Sequence, residues 1–138
     1  MANRAPGFIT NPNRKIYLAA SPCRVRVKYG REWIADTIKG AIMYESDHLP
    51  VYYFPLADVR TDYLHRTTHS TYCQYKGEAS YWSIRVAGKE SYNAAWGYER
   101  PYDEMMRFNL QDYCAFYWDK VDHWYEDDDE VTAIQTRA

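Results

Sequence analysis

The sequence predicts a mainly β protein, one antiparallel domain with one or two short helices, and three observations predict it. The run Cys23-Arg24-Val25-Arg26-Val27-Lys28-Tyr29 alternates strictly between apolar and basic residues, the pattern of a strand with one buried face. A second pair of runs, Ser80 to Val86 and Ser91 to Tyr98, flanks the turn dipeptide Gly88-Lys89 and reads as a hairpin. Short apolar runs also recur along the chain between Gly, Pro, Asn and Asp, as in barrel-like or sandwich-like sheets. A length of 138 residues suits one domain.

The elements follow in chain order. Residues 1–22 are polar and punctuated by Pro6, Pro12 and Pro22; they read as an arm laid across a domain of residues 23–131. Gly30-Arg31 predicts a type II′ turn, because glycine stands first in a two-residue loop. The return strand, Glu32 to Asp36, then pairs Val27 with Ile34 and sets Trp33 beside Lys28. Further strands are expected at Ala41 to Glu45, Val51 to Phe54 and Tyr63 to Thr68, with one helical turn at Pro55 to Val59. If Gly88-Lys89 closes the hairpin, Ala87 opposes Glu90, Arg85 opposes Tyr92, Ser83 opposes Ala94 and Tyr81 opposes Trp96. A short helix is expected within 101–112 around Met105 and Met106, and a buried strand at Tyr113 to Trp118. Val121, Trp124 and Tyr125 have helical spacing, the acidic run from Glu126 reads as solvated, and 132–138 is a tail.

Composition narrows the function classes. Hydrophobic residues make up 46% of the chain, and 15 Tyr and 5 Trp carry much of that; such side chains suit pocket walls as well as cores. The formal net charge of -2 gives no general attraction for nucleic acid or anionic membranes. Charge is segregated, however. No Asp or Glu occurs before Glu32, while Glu126 to Glu130 are all acidic. Pairing of the two ends, or solvated faces, explains this better than a basic ligand site. Cys23, Cys73 and Cys114 have no paired spacing, so neither a disulfide framework nor a metal site is expected. No cofactor is implied. The absence of a signal-peptide core or an apolar run of about 20 residues points to a cytoplasmic protein without a membrane partner.

The candidate site follows from strand parity. One hairpin face carries Tyr81, Ser83, Arg85, Tyr92, Ala94 and Trp96, with Tyr98 beyond, while Trp82, Ile84, Val86 and Ala95 face the core. Small Ser83 and Ala94 between large aromatics predict a hollow with apolar walls and few polar groups; a half-buried sheet face is the plainer alternative. Lys76, just before the strand, is placed to aim its amine at an anionic or carbonyl group. His69 has the free pKa of a general base. Cys73 reads as a small buried hydrophobe more readily than as a nucleophile. Glu99, at the edge of an apolar hollow, suits acid–base work or a surface ion pair with Arg60 or Arg100. Arg60 suits clamping of a carboxylate or phosphate. Phe116, Trp118 and Trp124 read as core.

Several blocks carry a family resemblance: Pro50-Val51-Tyr52-Tyr53-Phe54-Pro55, Asp58-Val59-Arg60, Tyr75-Lys76-Gly77-Glu78-Ala79-Ser80-Tyr81-Trp82, Asn93-Ala94-Ala95-Trp96-Gly97-Tyr98-Glu99 and Ala115-Phe116-Tyr117-Trp118-Asp119-Lys120-Val121. In order and spacing the chain resembles the domain-of-unknown-function family number 427. The resemblance implies a β-tent fold, similar to methionine-R-sulfoxide reductases and the thalidomide-binding domain of cereblon. Some β-tent proteins hold zinc with two paired-Cys motifs, which this sequence lacks. A nucleotidyltransferase-like label attached to the family implies a Gly-Ser block followed by an Asp-x-Asp pair in a helix-then-strand context, and the sequence lacks that arrangement.

Two function classes remain. In one, the domain binds a small-molecule ligand in an aromatic pocket, as a binding module or a small enzyme with acid–base residues Glu99, Lys76 and His69 and ligand contacts from Tyr81, Arg85, Tyr92, Trp96, Tyr98 and Arg60. In the other, the aromatic face is a protein interface, with a homo-oligomer as one form. Nucleic acid ranks third, because the basic residues cluster away from the aromatic face.

Overall fold

Short alternating segments build two antiparallel sheets in the computed structural model, which describes residues 2–135. The strands are β1 (Ile16–Ala20), β2 (Val25–Tyr29), β3 (Glu32–Thr37), β4 (Ala41–Glu45), β5 (Val51–Pro55), β6 (Leu64–Cys73), β7 (Gly77–Val86), β8 (Lys89–Gly97), β9 (Tyr113–Phe116), β10 (His123–Glu126) and β11 (Asp129–Val131). A seven-stranded sheet runs β1-β4-β5-β9-β8-β7-β6, and a four-stranded sheet runs β11-β10-β2-β3. Two short helices, α1 (Gly7–Thr10) and α2 (Asp103–Met106), complete the mainly β architecture. The large sheet ends in β1 and β6, so it stays open and forms no closed barrel.

Alternation gives the large sheet two buried faces. Tyr52 and Phe54 of β5, Cys114 and Phe116 of β9, and Ile84 and Val86 of β7 pack against Val25, Val27, Ile34 and Trp124 of the small sheet. Aromatic rings form the seam: Phe54 meets Phe116 at 5.4 Å between centroids and Trp124 at 5.9 Å. The intervening residues Tyr53, Ala115 and Tyr81 belong to a second core with Ile16, Met105 and Leu110. No helix among the described residues is long and apolar enough to cross a membrane.

Residues 1–22 contribute more than an arm. Strand β1 pairs with β4 over Ile16↔Glu45 to Ala20↔Ala41, and Gly7 donates to the Gln74 carbonyl. The first hairpin departs from expectation in its turn: Gly30 and Arg31 have φ of 57° and 68°, which is type I′ rather than II′. Trp33 does oppose Lys28, but a bulge makes Val27 pair with Ala35 instead of Ile34. The extra residue lets both Ile34 and Ala35 be buried.

The second hairpin carries two deviations that offset each other. Its turn is Ala87-Gly88, both at positive φ, so Val86 pairs with Lys89 and Arg85 with Glu90 rather than Tyr92. Between Ile84↔Ser91 and Trp82↔Ala95, however, β7 has only Ser83 where β8 has Tyr92, Asn93 and Ala94. Asn93 lies at φ 50° and its N–H donates to Ser83 Oγ at 3.1 Å. The bulge restores Tyr81↔Trp96 and turns Ala94 into the core between the sheets beside Ala95.

The chain end also differs from its helical spacing. Three residues are too few to nucleate a helix, and the free edge of β2 takes the segment as β10, pairing His123↔Lys28 through Glu126↔Val25. This joins the basic and acidic ends: the Arg24 N–H donates to Asp127 Oδ1 at 3.0 Å, and Arg24 pairs with Asp36 at 2.6 Å. The acidic run therefore closes β10 with buried Glu126, turns, and enters β11. Residues 136–138 of the expected tail lie outside the described residues.

Two stability measurements check this account. Phe54→Ala empties a fully buried ring site and is expected to cost about 3–5 kcal/mol in urea unfolding. Ala87→Asn supplies the residue a type I′ turn favours before glycine and is expected to add about 0.5–1 kcal/mol; a loss of stability would contradict that turn.

Candidate functional site

The best-formed constellation lies on the second core's side of the large sheet. Parity sends Met43 and Glu45 of β4 and Tyr53 of β5 to this face, where Trp96 and Tyr98 arrive from the end of β8. Lys76 joins them at the turn into β7. Gly77 makes that turn possible: its φ is 115°, and a Cβ there would meet the Arg100 carbonyl at 3.4 Å. Together these residues line a cavity of about 440 Å³, rimmed by Asp47, His48 and Leu49.

Charge in this cavity is concentrated and nearly buried. Lys76 Nζ donates to Glu45 Oε1 at 2.6 Å, with the two side chains 11% and 8% exposed. Arg14 donates to the other carboxylate oxygen and lies 5.0 Å from the Tyr75 ring centroid. His48 Nδ1 stands 3.8 Å from the same carboxylate and 3.1 Å from the Arg14 guanidinium. Two basic side chains thus share one carboxylate. Burial works to raise the Glu45 pKa, but hydrogen bonds from Lys76 and Arg14 outweigh it and hold the carboxyl below its ordinary value.

The aromatic walls stay neutral. Burial pushes the Tyr53 and Tyr98 phenols above the ordinary tyrosine range. Tyr53 meets Trp96 edge-on, at 6.4 Å and 81°, and Trp96 lies 4.6 Å from Tyr117. Tyr81 is buried behind this wall. Its hydroxyl hydrogen-bonds Thr71 at 3.0 Å, and its ring sits 4.5 Å from exposed His69.

The structure therefore gathers only part of the site expected from sequence. Lys76, Trp96 and Tyr98 share the cavity. The hollow does not lie between Ser83 and Ala94: Ser83 is tied to Asn93, and Ala94 is turned into the other core. Arg85 pairs with Glu90 near the hairpin tip, and Tyr92 is 69% exposed. Arg60 pairs with Asp62 at 2.9 Å. Glu99 accepts from Ser80 Oγ at 2.8 Å and meets Arg66 at 3.0 Å, in a different cleft. That cleft is lined by Trp82, which faces the core between the sheets as parity requires but is only half-buried.

Glu45, Tyr53 and Arg14 were missed. Glu45 had a readable signal, since it follows Met43 by two residues and shares its core-facing parity. Arg14 had none, because its placement depends on the β1–β4 pairing. Cys23, Cys73 and Cys114 are free thiols, and burial pushes Cys114 up to about 12. Among the described residues no group of three His, Cys, Asp or Glu is arranged to hold a metal.

Glu45 gives a pH test. Its folded pKa is depressed, so its contribution to stability is present above its ordinary 4.5 and is lost as pH falls through the lower folded value. Acid unfolding of Glu45→Gln is expected to lack that share of the pH dependence. At neutral pH the same change should cost about 3–5 kcal/mol, because it strands two nearly buried cations.

Residues 17–127 match the family described as a domain of unknown function (DUF427). No curated protein matches the chain. The match runs from β1 to the turn after β10 and includes Glu45, Tyr53, Lys76, Trp96 and Tyr98, while Arg14 precedes it. Spanning well over half of the 138 residues, it shows that this chain belongs to the DUF427 family.

Proposed function

We propose that this domain binds a small anionic molecule with a planar or apolar body in the cavity between Lys76 and Trp96. One observation carries the reading: a nearly buried Lys76–Glu45 pair lines an aromatic-walled cavity, with Arg14 holding the other carboxylate oxygen from outside the lining. An ammonium has three N–H donors, and Glu45 takes one from Lys76. The remaining Lys76 donors suit a carboxylate or similar anion, whose hydrogen bonds are worth more in a poorly solvated site than in water. Trp96, Tyr53 and Tyr98 supply faces and edges for a ring. The volume falls within the roughly 300–1,000 Å³ of small-ligand sites.

The geometry favours binding over acid–base catalysis. Glu99 and His69 stand outside this cavity, and Lys76 is engaged as the cationic partner of Glu45. Recognition needs only the fixed charges and the rings.

A thermal-shift comparison of benzoate-type carboxylates with their uncharged amides tests the proposal. A carboxylate at about 100 times its Kd stabilises the folded state by about 2.7 kcal/mol, so a clear rise in Tm is expected with the acids and little with the amides. Trp96→Ala and Lys76→Met should each abolish the response. Equal responses to acids and amides, or an undiminished response in Lys76→Met, would count against it.

A further inference from the structure

We propose that the cleft beside Trp82 is a second, separate site, and that it takes a free aromatic amino acid, a flat apolar body with a zwitterionic head. The inference goes beyond the Lys76 cavity and does not rest on it: Tyr98 borders both spaces, but parity sends Trp82 to the opposite side of the sheet from Tyr81 and Trp96.

The cleft has two connected parts. Its inner part is a slot of about 420 Å³ walled by Leu56, Leu64, Trp82 and Tyr113. Gly97 forms part of the wall; a Cβ there would come within 3.1 Å of the Tyr113 carbonyl, so the wall stays flat beside the Trp82 ring. Gln111 also lines the slot, and its Oε1 is buried with no hydrogen-bond partner.

The slot opens into a polar mouth of about 350 Å³ formed by Arg66, Glu78, Ser80, Glu99 and Arg100. Glu99 lines both parts, so they adjoin at its side chain. Arg66 and Glu99 satisfy each other at 3.0 Å, and the Arg66 guanidinium rests 5.5 Å from the Trp82 ring centroid. Arg100 and Glu78 form no ion pair among the described residues. One uncommitted cation and one uncommitted carboxylate therefore flank the entrance to an apolar slot. The complementary ligand carries an ammonium and a carboxylate on one end and a ring on the other. Peptide termini carry only one of the two charges at the residue bearing the ring, so the match is to the free amino acid.

The test titrates four probes into the full-length protein while NMR follows the Trp82 indole N–H. The probes are L-tryptophan, tryptamine, indole-3-propionate and N-acetyltryptophanamide. L-tryptophan is expected to give a saturable shift at Trp82, with the other three at least about tenfold weaker. Arg100→Gln should weaken L-tryptophan but leave tryptamine unchanged, and Glu78→Gln should weaken L-tryptophan but leave indole-3-propionate unchanged. Thr61→Trp fills the slot from its exposed rim without touching the core and should abolish binding. Lys76→Met should leave it intact, separating this site from the other cavity. Saturable shifts of equal affinity for tryptamine or the amide would overturn the proposal. So would no saturable shift at Trp82 with L-tryptophan, or binding lost in Lys76→Met and retained in Thr61→Trp.

Discussion

Burial of the large sheet on both faces is the constraint from which the rest of the structure follows. In β5, Tyr52 and Phe54 enter the aromatic seam with Trp124 while Tyr53 enters the other core. In β9, Cys114 and Phe116 go one way and Ala115 the other. Each central strand therefore has no side free for water, and its polar groups must find partners within the protein. Tyrosine meets that demand better than phenylalanine, because its ring packs while its hydroxyl bonds. Tyr52 does so by donating to Glu126 at 2.5 Å across the two sheets.

The two faces of the large sheet are covered differently. The small sheet packs against one, whereas the other relies on α1, α2 and the loops around Tyr75 and Leu110. These pieces leave the space bounded by Tyr53, Trp96 and Tyr98. Glu45 and Lys76 occupy its polar end, and Arg14 pairs with Glu45 from outside the lining. Desolvation makes such an ion network a weak source of stability, and replacing it with packed apolar groups is often neutral or better. A chain with 46% hydrophobic residues has the material for such a replacement. The retained charge is the physical basis for reading the cavity as a ligand site.

Irregularities in the two hairpins do structural work. The bulge at Ile34 buries two consecutive residues, and the wider bulge at Asn93 buries Ala94 and Ala95 together. Bulges of this kind also bend the strand that carries them. The second also separates the exposed hairpin tip, with Arg85 and Tyr92, from the Trp96 end that reaches the cavity. Residues that strict alternation would place on one face thus serve different surroundings.

Period-2 alternation, turn dipeptides and composition determined by themselves that this is a β protein and where most strands run. Lys76, Trp96 and Tyr98 were legible for the same reason: local parity and nearness to a strand end place them. The Trp96–Tyr81 pairing survived because a misplaced turn and an unforeseen bulge shifted the register in opposite senses, and a bulge has no dependable local signature. Tertiary structure alone decided that Arg14 reaches Glu45, that β10 adds to β2 despite helical spacing, and that Glu99 faces a different cleft from Lys76. Each depends on which strand edge or face a distant segment meets. That choice is made by burial and charge pairing across the whole chain, and no short stretch of sequence encodes it.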